Sequence, residues 1–374
     1  MTSRKSPRRD GQGHRVTKTQ APLWTWAWPA VAWVILLTAA SLGAGEIVVA
    51  LAGVALIGTV FAAVYHAEMV AHRVGEPFGT LVLAVAVTVI EVALIVSVMI
   101  SAPVEKAGLA RETVYAAVMI VCNGIVGLCL LLGGARHHEQ GFHIHGASAA
   151  LAVLAALTIL TLVMPNVATT TPGPFFSTSQ LVFAGTVSLL LYCSFVFIQT
   201  VRHRDYFLPV VGSDKEVHGP PPSNRTALLS AGLLIVALVA VVGLAKTLTP
   251  AVEAGIALAK VPKPVVGIII AGLVLLPEGL AAVRAARANR LQTSLNLALG
   301  SALASIGLTI PAVAAFSIVL RSPVELGLGA KDQVLLALTL LVGVITLGTG
   351  RTTVLQGMVH LVIFAVFLFF AVVP

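Results

Sequence analysis

Long apolar runs, separated by short polar segments, recur along almost the whole chain. A helix of about 20 predominantly apolar residues is long enough to cross a bilayer. On that pattern eleven spans are predicted: 24–43, 47–65, 79–101, 113–133, 148–165, 178–201, 226–247, 264–286, 293–319, 332–349 and 353–373. The short alternating segments of a membrane barrel are not the pattern here. The expected fold class is an all-α polytopic membrane protein.

The polar gaps divide the chain. A basic tail, 1–23, precedes an extra first span, 24–46. Five spans follow in 47–201 and five more in 226–374, with the widest hydrophilic gap, 202–225, between them. That gap holds charges, Gly212, Gly219 and Pro220-Pro221-Pro222, which is linker chemistry. Five is odd, so the second block enters the membrane upside down relative to the first. The expected architecture is 1 + 5 + 5 with inverted-topology repeats.

Composition agrees: 58% of the 374 residues are hydrophobic and 10% charged, where a soluble domain carries about 25% charged residues. The net charge of +8 is a topology signal, and no nucleic-acid partner is expected. On the side of the N-terminus and linker, 16 Lys and Arg collect, against 7 on the other side. The positive-inside rule then places the N-terminus and linker in the cytoplasm and the C-terminus outside. The expected location is a bacterial inner membrane. Trp24, Trp26 and Trp28 read as an interfacial belt before a retained first span. Cys122, Cys129 and Cys193 all lie in apolar runs and read as small buried residues.

Two acids break the apolar pattern. Glu91 stands near the middle of the third span, in "VLAVAVTVIEVALIVSVMIS". Glu278 follows a long apolar run in "VVGIIIAGLVLLPEGLAAVRAARANR". A carboxylate at the centre of an isolated helix costs roughly 2.5–3.5 kcal/mol on insertion scales. The two acids occupy the second span of each block, so in an inverted pair they face each other near the midplane. Together they are read as one cation and proton site. Without a cation, two such acids cannot comfortably be ionised together, so the empty pair is expected to hold at least one proton.

The neighbours extend this reading. Thr80, Ala84, Thr88 and Glu91 share one helical face. Pro277 has no N–H, so the Leu273 carbonyl loses its helical donor and becomes a candidate ligand. Gly279 eases local unwinding. Asn123 and Ser301 are candidate neutral oxygen ligands, and Asn296, Gly300 and Ser305 candidate supporting or packing positions. Glu76 and His72, bordering the third span, are read either as a proton or ion entry or as the ordinary charges of a membrane interface. His137, His138, His143 and His145 are read as a solvated loop.

The segments "GEPFGTLVLAVAVTVIEVALI" (75–95) and "LLPEGLAAVRAARANRLQTSLNLALGSALASIGLTIPAV" (275–313) resemble the cation/proton exchanger family of the calcium/cation antiporter superfamily, closest to its bacterial ChaA-type members. The resemblance implies an inverted core, one glutamate per repeat in the cation site, and exchange driven by alternate protonation. Calcium is the first expected cargo, sodium or potassium the second, with protons moving the other way and no other cofactor. The sequence departs from many calcium exchangers. Val87-Thr88 and Val274-Leu275 stand where those have Gly-Asn, and Ala304 where a glutamine is common.

Competing classes lack support. No HExxH or phosphate-loop motif occurs, and no enzyme activity is expected. A scaffold needs no buried acids. A channel would need a repeated filter loop.

Overall fold

The computed structural model describes residues 22–75, 78–101, 107–208, 221–259 and 262–373. Among them, eleven helices are long and apolar enough to cross a membrane. They are α1 (Leu23–Leu42), α2 (Glu46–Val74), α3 (Phe78–Ser101), α4 (Leu109–His137), α5 (Ile144–Asn166), α6 (Thr178–Arg202), α7 (Asn224–Ala259), α8 (Lys263–Arg287), α9 (Leu291–Leu320), α10 (Ala330–Leu347) and α11 (Val354–Val372). The protein is an integral membrane protein. Valine and isoleucine in α3 are poor helix formers in water, but lipid offers the backbone no partner, so each segment satisfies its own N–H and C=O groups as a helix.

The helix count matches the sequence pattern, but several helices run past their apolar stretch. One of them is α2, which continues from the expected end at 65 to Val74. Hydropathy falls there, yet Ala, Glu and Met keep helix propensity high. Gly75, at φ +74°, then ends the helix, its N–H reaching Ala71 O. Capping boxes at Ser177/Gln180 and Thr353/Gln356 open α6 and α11.

Helix α1 packs on α2 and α7. Trp28 lies over Gly58, Thr59 Oγ1 donates to Trp28 O at 3.3 Å, and Trp33 Nε1 donates to Val236 O at 3.3 Å. Helix α4 is the most buried span and packs on α8 and α11. A π-helical turn, Ile120–Ile125, interrupts it. Such turns add a residue to one helical turn and are frequent at functional sites. Helix α9 crosses α3, α5, α6 and α8.

Two extramembrane contacts tie distant parts of the chain. A short antiparallel pair, β1 (Gln140–Gly141) with β2 (Arg351–Thr352), joins the segment after α4 to that before α11. His137 lies 3.0 Å from Arg287 O, and His145 stacks on Tyr206. The histidine segment is therefore a packed connection as well as a polar loop. On the opposite face Arg111 pairs with Glu112 and Glu325 and donates to Gly327 O at 2.9 Å. Cys122 and Cys129 are buried, whereas Cys193 is exposed on the outer surface of α6, a correction to the reading of all three as buried.

Candidate functional site

Glu91 on α3 is 1% exposed and Glu278 on α8 is 9% exposed. Both oxygens of Glu91 and Oε2 of Glu278 lack a hydrogen-bond partner. Thr88 Oγ1, one turn before Glu91, is buried and equally unpartnered. Ser305 and Thr309 on α9 are the hydroxyls that face Glu91, yet they approach without completing a hydrogen bond to it. Leaving a buried polar group unpaired costs ~1–3 kcal/mol, and more for a charged one. Such groups, concentrated among apolar helices, leave lone pairs free to accept a proton or a cation.

Glu278 borders a cavity of about 90 Å³. Leu83, Ala84 and Val87 of α3, Tyr192 and Gln199 of α6, and Asn296, Gly300, Ser301 and Ala304 of α9 also line it. Leu83 is near the start of α3, Gln199 near the end of α6, and Asn296 near the start of α9. Counting crossings, these three ends lie on the same side as the linker. The cavity thus leads from Glu278 toward the linker side. Glu91 is outside its lining.

The structure brings together Thr88, Glu91 and Ser305 in one group, and Glu278, Ser301, Gly300 and Asn296 in another. The charge of Glu91 bears on Glu278, linking the two. Pro277 lies inside α8, with Leu273 one turn earlier and partly buried. Gly279 faces Ile125 of the π turn, where an added Cβ would meet Cδ1 at 3.1 Å.

Asn123 is placed elsewhere. Its Nδ2 donates to Thr339 Oγ1 at 2.9 Å and its Oδ1 lies 3.2 Å from His360 Nδ1. Both ends of the amide are therefore taken up by α10 and α11, away from the carboxylates. Asn296 lines the cavity with its amide already engaged: Gln292 Nε2 donates to its Oδ1 at 2.9 Å, and its Nδ2 donates to Phe207 O at 2.6 Å. His72 is exposed at the end of α2. Glu76 and the side chain of Thr80 lie outside the described residues.

Sequence reasoning missed three groups. Thr309 is one turn past Ser305 and was within reach of the same i+4 spacing. Gln199 lies at the polar end of α6 and joins the site only through tertiary packing. Glu68 sits on the part of α2 beyond the apolar stretch. It bears electrostatically on Glu278, and Arg284 of α8 bears on it in turn.

The chain is similar to known proteins in sequence and in fold. The family model for sodium/calcium exchanger protein matches residues 45–201 and 229–373. The chain is 50% identical over 366 residues to the y4hA protein of Sinorhizobium fredii (strain NBRC 101917 / NGR234), covering 96% of this chain and 99% of that one. It is 35% identical over 346 residues to the sodium-potassium/proton antiporter ChaA of Escherichia coli (strain K12), covering 91% and 93%. The structure of the selenium-substituted Ca2+/H+ antiporter protein YfkE superposes with a TM-score of 0.70 at 15% identity, over 94% of this chain and 99% of that one. The chain belongs to the sodium/calcium exchanger protein family. It is a cation exchanger of the calcium/cation antiporter superfamily, a secondary transporter and not an enzyme, as the resemblance at 75–95 and 275–313 implied.

Proposed function

We propose that this protein exchanges a cytoplasmic cation for protons by alternating access, with Glu91 and Glu278 binding cation and proton in turn. The observation that carries the reading is the pair of buried carboxylates with three unpartnered oxygens, with the hydroxyls of Ser305 and Thr309 facing Glu91 and that of Thr88 one turn before it. Protons can fill that need, and so can a hard cation, which prefers oxygen ligands. One occupant displaces the other because both use the same lone pairs.

Calcium is the first reading of the cargo. Two carboxylates balance a divalent ion, and the hydroxyls with the Leu273 carbonyl bring the oxygen supply toward the six to eight such an ion takes. Sodium or potassium is the second reading. It is supported by the name of the ChaA relative and by the absence of side-chain amides at Val87-Thr88 and Val274-Leu275.

In the proposed orientation the linker side is cytoplasmic in a bacterial inner membrane, and the Glu278 cavity faces the cytoplasm. The two five-span blocks act as inverted repeats. One pH unit supplies about 1.36 kcal/mol per proton, so an inward proton gradient drives cation outward. Glu68, exposed on α2 and within electrostatic reach of both Glu278 and Arg284, is read as a charge at the cytoplasmic mouth.

The test is reconstitution into vesicles holding a pH-sensitive dye, with calcium, sodium, potassium and magnesium added in turn. The expected result is proton movement with calcium, or with sodium or potassium on the second reading. Silence with all four ions would overturn the antiport reading.

A further inference from the structure

His360 on α11 is 1% exposed and lies opposite the π turn of α4. Its tautomer follows from a directed chain of hydrogen bonds. Thr339 Oγ1 donates to Leu335 O at 2.8 Å, so it accepts from Asn123 Nδ2 at 2.9 Å. That leaves Asn123 Oδ1 as an acceptor, 3.2 Å from His360 Nδ1. The proton of the neutral ring is therefore on Nδ1. Nε2 is a bare lone pair, buried and without a partner. The Cys122 carbonyl also lies toward the ring but does not satisfy Nε2.

The ring borders a cavity of about 10 Å³, whose walls include Cys122, Leu151, Leu299, Thr339 and Gly343. That size is at the threshold of ~10–15 Å³ needed for one water. Cys122 is the one other titratable group on this wall; α5, α9 and α10 bring no charged side chain to it among the described residues. A proton arriving on Nε2 thus meets no counter-charge.

The position is connected to the carboxylate site. Leu299 of α9 lines this cavity, and its neighbour Gly300 lines the cavity of Glu278. The two spaces border the same stretch of α9. Asn123 shares the π turn with Ile125, which packs on Gly279 beside Glu278.

We propose that His360 Nε2 is a third proton-binding position of the exchanger, separate from Glu91 and Glu278, which takes a proton from water on acidification and thereby limits exchange at acid pH. The uncompensated charge forces α11 and the π turn apart, and the packing of Ile125 on Gly279 loosens with them. The transport part rests on the antiport reading; the existence of the proton position does not.

Two variants separate this from a packing role. His360→Asn keeps an N–H donor toward Asn123 and removes Nε2. Gly343→Ala keeps the histidine and fills the cavity; its added Cβ would meet Leu151 at 3.4 Å, an ordinary contact. Exchange in reconstituted vesicles is expected to be near wild type at neutral pH in both, with the acid-side decline at least threefold weaker than in wild type. Identical pH profiles in wild type and both variants would overturn the proposal. A second readout needs no transport. In [15N]histidine-labelled protein, one signal with a bare Nε2 should be present, move on acidification, and vanish in His360→Asn. Should the wild type exchange nothing, the antiport reading fails and this spectrum alone decides. Should that variant misfold, Gly343→Ala should still shift the same signal's response to acid. A His360 signal unmoved by acid overturns the proposal in either case.

Discussion

Glu91 of α3 bears electrostatically on Glu278 of α8, although 187 positions separate them in sequence. Among the described residues neither has a basic partner at its carboxylate, and three of their four oxygens are unpaired. A neutral amide of equal size removes the charge and the exchangeable proton while leaving the packing. Glu91→Gln and Glu278→Gln should each lower exchange by more than about 100-fold, or ~2.7 kcal/mol of lost stabilisation, with the protein still folded and inserted. Glu139→Gln, at an acid half exposed beside Arg351, should leave exchange within about twofold, as rim ion pairs contribute ~0–1 kcal/mol. Dye-loaded vesicles measure all three.

Protons and cation compete for the same oxygens. Acidifying the linker side should therefore weaken apparent cation affinity, by up to ~10-fold per pH unit for each proton displaced. Transport rates measured against cation concentration at several pH values give the slope. An affinity that does not change with pH would separate proton and cation binding and remove the shared-site mechanism.

Glu68 lies on the charged end of α2, within electrostatic reach of Glu278 and Arg284. Its place is peripheral and more exposed than that of the two midmembrane acids. Glu68→Gln should raise the half-saturating cation concentration about three- to tenfold, the ~0.6–1.4 kcal/mol of a partly screened charge, and leave the maximal rate within about twofold. A loss as complete as that of Glu278→Gln would make Glu68 part of the binding site itself.

Gly357 of α11 crosses α4 at close range. A Cβ there would stand 2.4 Å from Leu131 N and 2.9 Å from Gly127 O. These are backbone atoms, which cannot turn away as a side chain can. Gly357→Ala should separate α11 from α4 and cost about 1–3 kcal/mol. Detergent thermal unfolding should register the loss, with Gly232→Ala, which meets nothing within 4 Å, as the unaffected comparison.

Much of this protein is determined by its sequence alone. The bilayer demands apolar helices of fixed minimum length and satisfied backbones, so the eleven spans and the two acids inside them can be read directly. Helix ends are less visible, because hydropathy stops before helix propensity does, and that is why Glu68 lay past the expected end of α2. Side-chain direction was decided by tertiary structure. Asn123 has the composition and spacing of a ligand, but Thr339 and His360, more than 200 positions away, claim both ends of its amide. Ser305 and Thr309 share one face of α9, and only the crossing of α9 over α3 turns that face toward Glu91. A single helix offers several polar faces with equal logic. Which of them meets a carboxylate depends on crossing angles set by small residues such as Gly279 and Gly357, and that packing is a property of helix pairs.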